Sequence, residues 1–343
     1  MFKKALVGFL KYLVGEEQEP IHKPEPKETK QQPISNAEIG ENTVVVEPKR
    51  NDNGQIKKKT KSNRKKPIEG EIITTDPKNL RDIVDLMEFP FVALSKNRTT
   101  PIIYESVDGK SKIKVSGHRE HYLASIYDWD IILFVASKLQ EIINDGSDIP
   151  PRSIIVPRHE LLKWIHKHDG KKEEKDLKES LARLKLTGIE TTIRNEDGTY
   201  EAGHGFIDSW GYTDRKDVRE FRITLSEWLH ALCCRKGALL KSHPEYFKIT
   251  SGLKRFLYRT ARKHVGTQNK SWTFPIETLH RKSGSEREFK KFKHDLKKIV
   301  KENNLPGYLL EWIENDNQTS VRFINTRKEI KEALSSDRST PEM

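Results

Sequence analysis

Lys290, Lys291, Lys293, Lys297 and Lys298 are interleaved with Phe289, Phe292, Leu296, Ile299 and Val300, which follow one another at spacings of 3, 4, 3 and 1. That spacing predicts a helix with one apolar stripe and a cationic opposite face. Such a face offers charge pairing with a polyanion, above all with phosphate. Arg281, Lys282, Ser283, Ser285 and Arg287 lead into it. Ser283 and Ser285 are candidate caps, and free N–H groups at a helix start favour a phosphate oxygen. Arg281 and Arg287, with Ser285, bracket the start of the helix, where an arginine can hold guanine by two parallel hydrogen bonds. Arg259, Arg262 and Lys263 extend the cationic set upstream. An earlier charged helix carries Lys171, Lys172, Lys175 and Lys178, diluted by Glu173, Glu174, Asp176 and Glu179.

Other reactive side chains fall in weaker patterns. A metal-dependent nicking centre needs two histidines around an apolar residue on a strand. The one H-x-H here, His166–His168, has Lys167 in the middle and closes a helix, where histidine suits the dipole. His118 and His121 lack a third ligand at convincing spacing. No G-x-x-x-x-G-K-[ST] loop occurs, so nothing cradles a nucleotide triphosphate. The two cysteines, Cys233 and Cys234, are adjacent and read as small buried hydrophobes rather than as a disulfide. The six tryptophans mostly occupy core-type positions, with base stacking the alternative. The expectation is a protein with no catalytic residue, cofactor or metal.

Charge is unevenly placed. The chain of 343 residues has a net charge of +12. Residues 251–301 hold 15 Lys+Arg against 4 Asp+Glu, and residues 49–66 hold nine basic residues and one Asp. A field concentrated in two places points to nucleic acid rather than to mere solubility, which mixed signs serve equally well. No apolar run reaches the roughly 20 residues of a membrane span, and a reducing cytoplasm fits the cysteine usage.

Residues 1–15 have helical apolar spacing, broken by Lys11, and lack a signal-peptide cleavage site. Residues 16–80 are rich in Glu, Lys, Pro, Asn and Gln and are expected to be disordered, with a basic arm at 57–66. One pattern then appears twice. Helix 127–146 with Asp128 as its cap, strand 153–156, Pro157 and helix 158–168, the charged helix stretch 171–188, and a hairpin turning at Asn195–Gly198 form the first copy. Helix 251–266 with Ser251 as its cap, strand 271–274, Pro275 and the following helix, the basic helix 282–300, and a hairpin turning at Asn315–Gln318 form the second. Pro275 follows Pro157 by 118 residues. Helix, strand, helix, helix and two-stranded wing is the plan of a winged helix, in which the third helix enters the major groove. The expected fold is α+β, mainly α: two tandem winged-helix domains at 81–245 and 246–330, between a disordered basic N-terminal tail and a C-terminal tail at 331–343. Helix 127–144 is apolar around most of its circumference, so either segment 86–115 or a second copy must cover it.

The stretches MEFPFVALSKNR (87–98), SIYDWDIILFVASKL (125–139), LSEWL (225–229), LYRTARKHVG (257–266), and 282–300 followed by NNLPGYLL (303–310) resemble the replication initiator protein A family of bacterial plasmids. The resemblance runs over about residues 80–325. It implies tandem winged-helix domains that bind repeats in double-stranded origin DNA, open the duplex, and recruit the host's initiator and replicative helicase. It also implies that the second domain makes the main base contacts. The first would add backbone contacts and homodimerisation, and there would be no catalysis and no stable membrane insertion. A winged-helix repressor, its own promoter among its targets, and a rolling-circle nicking initiator are the alternative readings.

Overall fold

A computed structural model describes residues 79–326, apart from 119, 147–149, 194–201, 216–217, 267–269 and 317. Residues 1–78 and 331–343, with the expected N-terminal helix, disordered tail and C-terminal tail, lie outside the described residues. The described residues all lie in one compact unit.

The first half begins with β1 (Arg81–Ile83), α1 (Val84–Met87), β2 (Ile102–Glu105) and β3 (Lys112–Ser116). It continues with α2 (Trp129–Asn144), β4 (Ser153–Pro157), α3 (Arg158–Trp164), α4 (Lys171–Leu186), β5 (Gly188–Thr191) and β6 (Ala202–Gly205). The strands β7 (Ile207–Arg215) and β8 (Val218–Leu225), then α5 (Glu227–Cys234) and β9 (Leu239–Lys241), complete it. After a 3-10 turn at Pro244–Lys248 come α6 (Gly252–His264), β10 (Ser271–Pro275), α7 (Ile276–Ser283) and α8 (Phe289–Glu302). The hairpin β11 (Tyr308–Asn315) and β12 (Gln318–Asn325) closes the described chain.

The repeat is visible in the elements themselves. β4, α3 and α4 begin at residues 153, 158 and 171; β10, α7 and α8 begin at 271, 276 and 289, a constant offset of 118. Pro157 and Pro275 each end their strand and begin their helix with nearly the same backbone, φ −57° in both and ψ 135° and 141°. Proline suits this junction because its ring pre-sets φ and the missing N–H is not needed at a helix start. Leu161 and Leu279, 118 residues apart, are both fully buried. Each copy holds a three-stranded antiparallel sheet, ordered β4-β8-β7 and β10-β12-β11.

Strands take a larger share than expected, so the mainly helical expectation gives way to a mixed fold. Twelve strands lie in four sheets among the described residues. The first copy's hairpin also differs. The strands at 188–191 and 202–205, expected as its wing, join β2 and β3 in a separate sheet of order β2-β3-β5-β6. The hairpin paired with β4 is the next one, β7–β8. Burial decides this: β8 sets Phe221 and Ile223 directly opposite Val156 and Ile154, all four in the core. The second hairpin lies where the sequence places it, between Tyr308 and Asn325.

α2 is buried continuously from Trp129 to Leu139, packed on β1, α3 and α5 of its own chain rather than on segment 86–115 alone. Asp128 precedes it without capping; its carboxylate instead accepts from Ser125 and from Arg183. One contiguous apolar core joins the two copies, running from Leu80 through Trp129 and Phe206 to Leu257, Phe292 and Phe323.

Candidate nucleic-acid interface

α8 is built as its spacing predicts. Phe292, Leu296, Ile299 and Val300 are buried, each such side chain contributing roughly 1.5–3 kcal/mol. Phe289 marks the edge of the stripe and is 37 % exposed. The helix ends at Asn303, whose left-handed backbone (φ 45°) closes it and whose side chain bonds Leu310 in the hairpin.

The segment 282–300 is not one helix. α7 ends at Ser283, Gly284 turns the chain at φ 59°, and α8 starts after Glu288. A side chain at Gly284 would press on Pro90 and Ile102, so only glycine combines this backbone with that contact. Ser283 and Ser285 therefore cap the turn, not α8. Ser283 Oγ donates to His280 O and accepts from Ser285 N, and Ser285 Oγ accepts from Arg287 N.

Segment 88–101 of the first half pins this turn. Arg98 donates to Gly284 O, Thr100 bonds Glu286, and Lys282 Nζ lies 2.6 Å from Glu88. The start of α8 is thus aimed partly by chain that lies nearly 200 residues upstream.

The exposed face of α8 carries Lys290, Lys291, His294, Lys297, Lys298 and Lys301. Lys290, Lys298 and Lys301 have no ion pair among the described residues; Lys291 meets Glu288 at 3.3 Å, an exposed pair of little worth. Lys293 and Lys297 lean towards the hairpin. Their Nζ atoms stand 6.0 and 5.4 Å from the Trp312 ring centroid, Lys293 bonds Thr319 at 3.1 Å, and Lys297 lies 3.6 Å from Glu314. Arg287 stays largely exposed and reaches Asp295 at 3.1 Å, and Arg281 is exposed at the end of α7.

Four residues expected at the interface turn inward. On α6, Arg255, Arg259 and Lys263 recur every fourth residue, so they share one face. Arg255 pairs with Asp130 at 2.7 Å, Arg259 with Asp82 at 2.7 Å, and Lys263 with Glu88 at 2.5 Å. Arg259 also donates to Leu86 O and is buried. A guanidinium so enclosed cannot reach a phosphate. Burial opposes ionisation of Glu88, yet Lys263 and Lys282 hold its carboxyl down to about 2. Lys263 and Lys282 are thereby committed to the protein, and Ser283 is buried. Arg262 points outward but donates to Lys241 O at 2.6 Å. Arg259, Lys263 and Lys282 turn inward for a reason that no local pattern shows. A cation-rich helix reads the same whether its partners are phosphates or distant carboxylates.

In the first copy, Lys171, Lys172 and Lys175 are exposed, Lys175 standing 3.9 Å from Glu179. Lys178 is held by Glu174 at 2.8 Å and lies over the Tyr212 ring at 3.9 Å. Lys178, with Arg158 and Tyr212, lowers the Glu174 carboxyl to about 2. This cluster fastens α4 to hairpin strand β7.

His166 sits just past α3 with a left-handed backbone (φ 58°) and stacks on Phe247 at 5.2 Å. Cys233 is buried, where burial raises its thiol pKa; Cys234 lies 3.4 Å from His230. No group of three or more His, Cys, Asp or Glu side chains able to hold a metal ion occurs among the described residues. No helix among them is long and apolar enough to cross a membrane. Five tryptophans are buried or half-buried, whereas Trp272 is 43 % exposed at the edge of its sheet.

A lysine-rich helix beside a hairpin, repeated once in a more neutral form, leaves a row of exposed cations on the outer face of α8. A model of the family "Replication initiator protein A" matches residues 81–310, and the chain belongs to that family. It is 32 % identical over 262 residues to a Wigglesworthia glossinidia brevipalpis protein described as "Putative replication protein", covering 74 % of this chain and 94 % of that one. Its fold is similar to a crystal structure of domains 2 and 3 of RctB, with a TM-score of 0.52 at 14 % identity, covering 73 % of this chain and 99 % of that one.

Proposed function

We propose that the protein is a plasmid replication initiator that binds repeated origin DNA through two winged-helix modules, at 81–245 and 246–330. α8 enters the major groove, and hairpin β11–β12 lies along the backbone beside it. Lys290, Lys291, Lys298 and Lys301 meet phosphates, Lys293 and Lys297 link the helix to the wing, and Arg281, Ser285 and Arg287 stand at the groove edge. α4, with Lys171, Lys172 and Lys175, makes the weaker contacts of the first module. In this reading the protein also opens the origin and recruits the host initiator and helicase, a role that membership of the family supports. The observation that carries this reading is the outer face of α8, five lysines and one histidine backed by a rigid apolar stripe.

Protection mapping of the origin region of its own plasmid with the full chain tests it. Repeated footprints of even spacing are expected, and their loss on Lys290→Ala/Lys298→Ala. Uniform coverage without footprints overturns it. Support of replication by an origin plasmid separates an initiator from a repressor of the same architecture.

A further inference from the structure

We propose that segment 88–101 is a strap that sets the sequence selectivity of α8, with Arg98 as its positioning residue. The first half of the chain thereby governs base reading by the second without itself touching those bases. The inference rests on the reading above and extends it to one buried side chain.

α8 is unequally anchored along its length. Phe292, Leu296, Ile299 and Val300 fix its later turns to the core, and Asn303 ties its end to the hairpin. The first turn has no such hold. Phe289 is 37 % exposed, Lys290 and Lys291 are exposed, and Glu288 makes no capping bond with its side chain. Yet the first turn is the part of a recognition helix that meets base edges in the major groove. Its direction therefore depends on the turn at 284–288 just before it.

The two copies treat that turn differently. His166 stands 118 residues before Gly284, and both have a left-handed backbone, φ 58° and 59°. In the first copy the turn accepts a side chain, for His166 is exposed and stacks on Phe247. In the second, a Cβ would stand 2.7 Å from Pro90 and 3.1 Å from Ile102. The strap, rather than the backbone alone, demands glycine there.

Arg98 fastens the strap to the turn. Its side chain is 9 % exposed and donates from Nε to Thr100 O and from Nη2 to Pro101 O, both at 2.8 Å, and from Nη1 to Gly284 O. Glu286 sets a carboxylate 3.7 Å from Nε and also bonds Thr100. A guanidinium is a rigid planar fork, so the turn cannot shift against the strap without breaking one of these bonds. At the other end of the strap, Glu88 holds Lys282.

The test uses the full chain, a duplex carrying the repeat mapped by protection, and a random duplex of equal length, titrated well below the onset of unfolding. Arg98→Ala should lose roughly 5- to 150-fold on the repeat, the worth of one base contact, with random-duplex affinity and the salt slope unchanged. Arg98→Lys, which can reach only part of the carbonyl set, should recover part of the loss. Gly284→Ala, which presses the same turn against the strap, should reproduce it. Arg255→Ala is the control, because that buried arginine holds Ile249 O, Ile126 O and Asp130, none of them in the turn. It should lower the denaturation midpoint and leave the ratio of repeat to random affinity as it was. If Arg98→Ala does not fold, Arg98→Lys and Gly284→Ala carry the test, and an intact ratio in both overturns the assignment. An intact ratio in folded Arg98→Ala, equal weakening on both duplexes, or the same fall in ratio for Arg255→Ala also overturns it, and each leaves the DNA-binding reading in place. A wild-type protein that does not distinguish repeat from random DNA overturns both.

Discussion

Arg259 on α6 and Asp82 on β1 form a buried ion pair, Nε to Oδ2 at 2.7 Å, across 177 residues of sequence. Trp129 Nε1 donates to the same carboxylate at 3.1 Å, and the guanidinium lies 5.3 Å from the Trp129 ring centroid. With Arg255–Asp130 above it and Lys263–Glu88 below, the pair makes α6 a bolt between the two copies of the motif. α6 also comes so close that a Cβ at Gly252 would stand 2.0 Å from Leu94 O.

Breaking one rung should be costly, because the remaining charge stays buried. Arg259→Ala or Asp82→Ala is expected to lose about 3–5 kcal/mol, read by denaturant unfolding with a single transition in the wild type. Replacing both with apolar residues should recover much of that loss. The salt dependence of DNA binding should not change in any of the three. A flattened salt slope for folded Arg259→Ala would return the residue to the interface.

For the exposed lysines the opposite holds. Lys290→Ala and Lys298→Ala should each reduce the slope of log affinity against log salt by about 0.9, whereas Lys282→Ala, whose ammonium is held by Glu88, should not. Fluorescence titrations at several salt concentrations measure this directly.

The first copy should bind more weakly through α4, since carboxylates on the same face repel phosphate. Because the core is shared, the comparison belongs in the intact chain rather than in separated halves. Glu173→Gln with Glu179→Gln should raise affinity for random DNA several-fold, as loss of two repelled charges predicts. Lys172→Ala should cost less than Lys290→Ala. A larger loss for Lys172→Ala reverses the order of the two copies.

Acid should loosen the molecule in a definite window. Burial lowers His264 from 6.5 to about 4, with Glu88 favouring its proton and Lys263 and Lys282 opposing it. Between these values the unfolded chain binds a proton that the folded chain does not, so stability is complete above pH 6.5 and falls as pH drops towards 4. The loss is on the order of 1–3 kcal/mol, and His264→Gln should remove it from the pH profile of unfolding. Glu88, held near 2, loses its contribution only as pH falls below 4.5, so the two effects separate.

Lys138 offers a gain. It is buried on α2 with Nζ making no hydrogen bond among the described residues, 5.4 Å from the Phe134 ring centroid. Burial lowers its pKa to about 8, so near neutral pH the fold carries a desolvated charge. Lys138→Met should stabilise by about 1–3 kcal/mol and flatten the rise in stability between pH 8 and 10.5. A destabilised variant would mean that the ammonium has a partner worth more than its burial costs.

Periodicity and turn chemistry made much of this molecule legible in one dimension. The stripe of α8, the cap at Ser251, the Pro157 and Pro275 junctions and the hairpin at 308–325 all rest on interactions within a few residues or between adjacent strands. Such interactions leave their period in the sequence. The repeat itself could be found because both copies use the same local signals at a constant offset.

What the sequence could not contain was partner choice at long range. β4 could pair with either of two downstream hairpins, and it pairs with β7–β8 because Phe221 and Ile223 then complete a core. Arg259 and Lys290 are alike as cations on helices, but Asp82 lies within reach of the first and no carboxylate meets the second among the described residues. A local pattern determines which residues share a face of a helix. Only the packing of that helix against segments 100 to 200 residues away decides whether the charges on the face are spent inside the protein or left for DNA.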